Sequence, residues 1–386
     1  MNYELISVLV FGIILAIIIY KDRKNIEFKT GLIIRRSTKG KKLLYSFAAK
    51  HEKTLKIIGT IGIVISVLAS LYGMYLLLHS TYNIIIKKTK ESTLKVVLPS
   101  VEGVKLPGFI LGVPFWYWII SVFVVMAIHE PMHALMARTE KVDVKSFGLL
   151  LFFVLPGAFV EPNESQLKRQ KTLSKLRIFA AGSFGNIIMA GLIFLLILGF
   201  NKLLTLFIEP IGVNYESLIE GSYAEKVGLQ GTIIKINDIE IKTINDLSTA
   251  LEGVKPGEKV IVTTTKSKFE IQTIEDNGRT LIGIKNPYIE YKYVGIFSKY
   301  GQVSAATLSV FQWIEGLFYW IFVLNLGVGV FNLFPLKPLD GGLMLDAICE
   351  NIFKKNGKYI SNIISIMVLI LVLFNIFGPN IIKMFF

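Results

Sequence analysis

Cysteine, histidine and acidic residues are scarce in this chain. Cys349 is the single cysteine among 386 residues, so neither an intrachain disulfide nor a cysteine-rich metal site can form. Lys and Arg outnumber Asp and Glu by 42 to 28, but the basic residues lie mostly in short loops beside apolar runs. This distribution fits the positive-inside rule of membrane proteins better than a nucleic-acid-binding surface. We therefore expect a lipid bilayer around the chain and no nucleic-acid partner.

Apolar residues, by contrast, make up 53% of the chain, more than a soluble domain needs to bury. Six runs approach or exceed the roughly 20 residues that cross a hydrocarbon core of about 30 Å. The first run ends in the charged residues Lys21 to Lys24 and not in a small-residue cleavage site, so it is predicted to be an anchor and not a cleaved signal. The six predicted spans are residues 5–20, 57–78, 115–137, 178–200, 314–336 and 360–377.

The positive-inside rule also predicts the orientation of these spans. A strongly basic loop follows the first span and should stay in the cytoplasm, which places the amino terminus outside. The third span then ends at Arg138 on the cytoplasmic side. The basic residues of that loop are Arg35, Arg36, Lys39, Lys41 and Lys42.

A shorter apolar stretch, residues 147–160, is interrupted by Pro156 and Gly157 and closed by Glu161 to Glu164. It is too short and too broken for a spanning helix. Irregular backbone is tolerated at membrane depth only where protein or a water-filled cavity satisfies its polar groups. We predict a re-entrant membrane hairpin that lines a site; a poorly ordered interfacial loop is the alternative.

The composition changes after the fourth span. Residues 212–284 are rich in charged, β-branched and turn residues, which predicts a small soluble α+β domain. Strands are predicted at residues 232–236, 259–264 and 268–273. Helices are predicted at 224–227, ended by Gly228, and at 244–251.

The motif His129-Glu130-Pro131-Met132-His133 matches H-E-x-x-H. Residues four apart differ by only about 40° around an α-helix, so both imidazoles can face one metal. Glu130 lies about 100° from His129, where it can take a proton from a water molecule at the metal. Glu within an apolar span costs about 2.5 kcal/mol or more unless it has partners. The alternatives are a structural polar cluster that joins helices, or a proton or ion pathway.

A catalytic zinc ion commonly takes three protein ligands and leaves a fourth position for water. Asp340 is the best third ligand, because it follows the fifth span at a proline-rich break on the same predicted side of the membrane as His129. Taken alone, the sequence Asp340-Gly341-Gly342 is more typical of a plain turn or a helix N-cap.

Together these motifs resemble the site-2 protease family of intramembrane zinc metalloproteases. Residues 129–133 resemble its zinc motif, and Asn332-Leu333-Phe334-Pro335 followed by Leu339-Asp340-Gly341 resembles its second motif, in which the aspartate is the third ligand. The resemblance covers most of the chain after about Phe115. It implies one zinc ion held by His129, His133 and Asp340, with Glu130 as the catalytic residue.

Two further motifs extend the resemblance. Residues 156–160 are similar to the membrane hairpin of the archaeal and eukaryotic branch, and residues 181–186 to its small-residue motif in the next span. By resemblance, Asn332 is expected to orient substrate or a ligand near the metal. The other residues expected to position substrate are Gly157, Phe159 and Asn186.

The chain departs from the family pattern at three positions. Pro131 occupies a helix-interior position, which removes the hydrogen bond to the carbonyl of Ala127 and favours a kink. Met132 stands where many relatives have a small residue, and Ser183 replaces a common proline. Pro131 either shapes the pocket or marks a variant with altered activity; because Glu130 and all three ligands remain, we expect activity.

Residues 212–284 resemble a PDZ domain, chiefly at residues 221–229 and at Asp246-Leu247. Such a domain, outside by the topology argument, would bind a peptide, filter substrates by size or act as a spacer. The predicted organisation is an amino-terminal anchor region (1–110), two halves of a catalytic membrane core (111–207 and 291–386) and, between them, the PDZ-like domain (208–290).

The resemblance implies regulated intramembrane proteolysis of a membrane-protein substrate, in a prokaryotic, archaeal-type cell membrane with the active site toward the cytoplasm. A helical substrate hides its carbonyls in internal hydrogen bonds, so it must unwind, and the hairpin near Phe159 could then pair with it as an added strand. An inactive helix-binding homologue and a metal or proton transporter are the alternatives.

Overall fold

A computed structural model of the chain describes residues 3–29, 31–87, 94–100, 106–152, 155–276 and 278–385. This part of the chain contains eleven α-helices: α1 (Tyr3–Asp22), α2 (Lys41–Lys50), α3 (Glu52–Ile86), α4 (Phe115–Thr139), α5 (Glu164–Lys168), α6 (Thr172–Leu204), α7 (Tyr223–Lys226), α8 (Ile244–Leu251), α9 (Ala305–Asn332), α10 (Asp340–Phe353) and α11 (Gly357–Phe385).

The same described ranges contain fourteen β-strands: β1 (Ile26–Lys29), β2 (Leu32–Ser37), β3 (Val96–Ser100), β4 (Ile110–Pro114), β5 (Val144–Phe152), β6 (Leu155–Pro162), β7 (Ile208–Leu218), β8 (Ile233–Ile236), β9 (Ile239–Glu240), β10 (Lys259–Thr264), β11 (Lys268–Gln272), β12 (Ile274–Asp276), β13 (Arg279–Leu281) and β14 (Ile284–Tyr293).

Six helical segments among the described residues are long and apolar enough to cross a membrane, as the sequence predicts. They are Leu5–Asn25, Glu52–Ile86, Phe115–Thr139, Thr172–Leu204, Ala305–Asn332 and Asp340–Pro379. Each overlaps one predicted span and is longer than it, because helical backbone continues into the polar residues that flank an apolar run. The last segment is broken by a short 3₁₀ helix at Lys354–Asn356, which separates α10 from α11.

The chain forms two compact units. The first comprises residues up to Leu195 together with Gly316–Phe386, and the second is Leu196–Glu315. The motif at residues 129–133 and the second motif, which ends in Asp340-Gly341, both lie in the first unit.

In the first unit, the apolar stretch at residues 147–160 forms an antiparallel pair of strands, β5 and β6, whose connecting residues 153 and 154 lie outside the described ranges. These strands belong to a four-stranded sheet with the order β1-β2-β5-β6. Arg35 and Arg36, expected in a loop, lie instead on β2, which pairs with β5 from Leu32↔Phe152 to Ser37↔Phe147. A partner more than a hundred residues away could not be predicted from the local pattern. Within the described residues, β6 forms one edge of the sheet.

The helix α4 is held by packing at its carboxyl-terminal half. Ala134, Met136 and Ala137 are buried against Ile178 and Ala181 of α6. Val142, which lies between α4 and β5, and Val144, the first residue of β5, complete this cluster. The packing fixes α4 next to both α6 and the sheet.

The second unit is built on a sheet with the order β11-β10-β8-β7-β14, to which β9 adds beside β8. Alternate residues of β10, Val260 and Val262, are buried in one core with Ile233 and Ile236, the two ends of β8. Helix α8 begins with a capping box between Thr243 and Asp246. The predicted strands at 232–236, 259–264 and 268–273 and both predicted helices are present, whereas the long strands β7 and β14 were not predicted.

Candidate metal centre

The helix α4 presents His129 and His133 on one face, as the four-residue spacing predicts. Their Nε2 atoms are 3.1 Å apart. The Asp340 carboxylate meets both rings: Oδ2 lies 3.5 Å from Nε2 of His129, and Oδ1 lies 3.3 Å from Nε2 of His133. One ligand atom from each of the three residues falls within 4.8 Å of the others. Two stretches of chain separated by about two hundred residues therefore converge on one point.

Asp340 reaches this point because it is the first residue of α10. The turn before it folds tightly against the helix start: a Cβ atom at Gly341 would lie 2.0 Å from the carbonyl oxygen of Leu333, and one at Gly342 would lie 2.4 Å from the carbonyl carbon of Leu336. Only glycine allows this approach. The turn explains why Gly341 and Gly342 follow the aspartate in the motif.

Hydrogen bonds of Lys337 stabilise the same turn. Its Nζ donates to Asp346 at 2.6 Å, to Ser361 at 3.0 Å and to Asn362 at 2.8 Å. These partners lie on α10 and α11, so the loop that precedes Asp340, between α9 and α10, is bonded to both helices.

The helix α6 closes the site from a third side. A Cβ atom at Gly182 would lie 2.3 Å from Nε2 of His133 and 2.8 Å from Nε2 of His129. The absence of a side chain at residue 182 therefore keeps the space in front of both imidazoles free.

Polar groups of α6 hold the predicted ligands. The Ser183 hydroxyl donates to Oδ2 of Asp340 at 2.7 Å, and Nδ1 of His133 lies 2.8 Å from the carbonyl oxygen of Ile178. Because a carbonyl only accepts, Nδ1 of His133 carries the proton and Nε2 keeps its lone pair for a metal. Asn186, which is fully buried, places its amide nitrogen 3.0 Å from Nδ1 of His129.

These residues fit a zinc ion. Two imidazole nitrogens and one carboxylate are the donor set of many catalytic zinc sites. The proton on Nδ1 of His133 leaves the Nε2 lone pair available to a cation between the three side chains. The space kept by Gly182 leaves room for that cation.

Glu130 is half-buried on α4 and is not one of the three grouped ligands. Its carboxylate lies close to the main-chain N–H of Val160 on β6. It also lines a cavity of about 250 Å³ between α4 and strands β2, β5 and β6. The acid of the motif thus faces a space that another molecule can enter.

The residues expected to position substrate are more dispersed. Phe159 lines the cavity and its ring covers Gly148, whereas Gly157 lies on β6 opposite Leu150. Asn332 ends α9, and among the described residues it forms no hydrogen bond with the three predicted ligands. Asn186 contacts His129 directly.

Sequence reasoning did not assign roles to Gly182, Ser183 or Lys337. Gly182 and Ser183 lie within the small-residue motif at residues 181–186, which the sequence shows. The sequence does not show that these two residues face the three predicted ligands. For Lys337, a lysine between two prolines gave no signal of its own.

Comparison with known proteins agrees with this geometry. The model of peptidase family M50 matches residues 117–374. "Uncharacterized protein MJ0971" of Methanocaldococcus jannaschii is 27% identical over 92% of this chain and 89% of its own length. "Putative zinc metalloprotease FN1322" of Fusobacterium nucleatum is 29% identical over 32% of each chain. "Putative zinc metalloprotease SA1105" of Staphylococcus aureus is 22% identical over 58% of this chain and 64% of its own length.

The family match covers more than half of the chain and includes both the zinc motif and Asp340. Together with the six apolar helices, it shows that this chain belongs to peptidase family M50, the site-2 protease family, and is an integral membrane zinc metalloprotease.

Proposed function

We propose that the chain is an intramembrane endopeptidase that hydrolyses peptide bonds within or near the transmembrane segments of other membrane proteins, in regulated intramembrane proteolysis. The observation that carries this proposal is the meeting of His129, His133 and Asp340 beside Glu130 and its cavity. The three residues hold one zinc ion per chain.

Bound there, zinc would supply Lewis-acid chemistry, which lowers the pKa of a water molecule to about 7 and polarises a carbonyl. Glu130 accepts the proton of the attacking water and passes it to the leaving amine. Ser183 and the carbonyl of Ile178 hold Asp340 and His133 in place during the reaction. Asn332 and Asn186 are kept as candidates for positioning the substrate.

Strands β5 and β6 form the proposed re-entrant membrane hairpin. Because β6 is an edge strand beside Glu130, its free main-chain groups suit pairing with an unwound substrate segment. Gly157 and Phe159 both belong to this strand.

The second unit is the proposed PDZ-like domain, centred on residues 208–290 between the two halves of the catalytic core. Two features support this: β14 forms an edge of its sheet, and α8 contacts β14, so a peptide could add as a strand between them. Binding of a peptide end, size filtering and passive spacing remain its three candidate roles.

The proposed location is a prokaryotic, archaeal-type cell membrane, with the active site toward the cytoplasm and the second unit outside. The similarity to the Methanocaldococcus protein along 92% of this chain supports the first part. The basic residues around β2 and the end of α4 support the second.

Reconstitution with zinc and single-span substrates tests the function. Wild type should yield fragments by mass spectrometry, and Glu130→Gln should yield none while still binding zinc. His133→Ala and Asp340→Ala should lose the metal. Zinc binding without cleavage across a broad substrate panel would favour a helix-binding homologue, and transport unaffected by Glu130→Gln would favour a transporter.

A further inference from the structure

The cavity beside Glu130 has a defined shape. Phe123, Ala127 and Pro131 of α4 are spaced four residues apart and form one wall. The opposite wall comes from β5 and β6, including Gly148 and Phe159, and β2 closes one end. The cavity therefore lies between the membrane helix α4 and three neighbouring strands of the sheet.

Its size and lining select an apolar side chain. About 250 Å³ is less than the roughly 300–1,000 Å³ of a pocket for a drug-sized ligand, so one large side chain fits. A whole helix about 10–12 Å across does not fit. Among the described residues that line the cavity, Arg35 is the one cation, and it already pairs with Asp22. An unwound segment that inserts one bulky apolar residue matches this space.

Pro131 adds a main-chain contact. Proline has no N–H, so the carbonyl of Ala127 lacks its usual partner in the helix. Helical carbonyls point along the axis toward residue i+4, and Ala127 and Pro131 both line the cavity. A carbonyl without a donor is costly at membrane depth, whereas an unwound substrate brings free N–H groups.

We propose that this cavity is the subsite for one bulky apolar residue flanking the scissile bond, and that the carbonyl of Ala127 accepts a hydrogen bond from the main chain of the same segment. The proposal rests on the proposed protease function. It assigns Pro131 to substrate binding.

Binding can be measured without cleavage in the full-length, zinc-loaded Glu130→Gln protein. Peptides that carry leucine or alanine at each of four positions around the cleavage site are titrated in detergent. At one position, leucine should bind at least about tenfold more tightly than alanine. Ala127→Phe, which fills the cavity, should abolish that preference.

Ala16→Phe is the control, because it adds the same bulk at an exposed position of α1 that lies outside the cavity. It should keep the preference. If Ala127→Phe leaves every preference intact while zinc content is unchanged, the subsite is wrong. If wild type cuts no substrate but the preference and its loss are observed, the protease function fails, and the cavity is a binding site for a bulky apolar residue without a scissile bond beside it.

The main-chain contact has its own test. Pro131→Ala restores an N–H that engages the carbonyl of Ala127, so an amide peptide should bind about three- to tenfold more weakly. A matched peptide with an ester in place of one amide cannot donate that hydrogen bond and should bind both proteins equally. An amide-to-ester ratio that is the same in both proteins at every position would rule out the contact.

Discussion

At the residue scale, α6 supplies none of the three predicted ligands, yet it shapes the site as much as α4 and α10, which supply them. Gly182 leaves room in front of both imidazoles, and Ser183 and Asn186 contact Asp340 and His129. Replacing a group that orients a metal ligand typically lowers metal affinity or activity about 10- to 100-fold. Substitutions on α6 should therefore alter zinc binding.

Gly182→Ala should abolish zinc binding, because the added methyl group would lie 2.3 Å from Nε2 of His133. Gly191→Ala is the matched control on the same helix, where a Cβ atom meets nothing within 4 Å. Zinc content of the purified proteins measures both. Full zinc occupancy in Gly182→Ala would show that the metal does not lie between these rings.

Ser183→Ala should lower zinc affinity about 10- to 100-fold, because Asp340 loses a hydrogen-bond donor at 2.7 Å. Ser183→Thr, which keeps the hydroxyl, should restore most of the affinity. Ser121→Ala on α4 is the control, since that buried hydroxyl has no hydrogen-bond partner among the described residues. Competition with a chelator gives the affinities, and equal values for Ser183→Ala and wild type would contradict the assignment.

At the element scale, side-chain capping stabilises the start of α8 in the second unit. The main-chain N–H groups of Lys242 and Thr243 donate to the Asp246 carboxylate at 3.0 and 2.8 Å, and they hold its pKa below the ordinary value of 3.8. Because the folded pKa lies below the unfolded value, the stabilisation is present above about pH 4. It is lost as pH falls through the folded pKa.

Asp246→Ala should therefore speed amide hydrogen exchange in α8 at pH 7, and the difference from wild type should shrink as the pH falls below 3.8. Exchange is compared between the two full-length proteins at the same pH, with mass spectrometric detection. Asp238→Ala, which changes an exposed acid outside the capping box, serves as the control. A difference that persists undiminished at low pH would indicate that charge is not responsible.

At the scale of the whole molecule, all three predicted ligands and Glu130 belong to the first unit. Replacing residues 208–290 by a flexible linker should therefore leave one zinc ion per chain. Substrate choice should change if the second unit binds or filters substrates, and should stay the same if it is a spacer. Zinc analysis and the fragment assay answer the two questions separately, and loss of zinc would show that the first unit depends on the second.

The sequence by itself determined the helical membrane core and the nature of the site. Long apolar runs have no stable alternative to spanning helices, because the backbone must satisfy its own hydrogen bonds in lipid. The spacing of His129 and His133 follows from helix geometry alone, and the α8 boundaries follow from its capping residues. These are local properties.

Only the tertiary structure decided which residues contact each other when they are far apart in the sequence. It brought Asp340 to the two histidines, turned Gly182 and Ser183 toward them and paired β2 with β5. Taken alone, Asp340-Gly341-Gly342 was more typical of a turn, and residues around Arg35 of a loop. Packing and strand pairing depend on partners more than a hundred residues away, which no local pattern specifies.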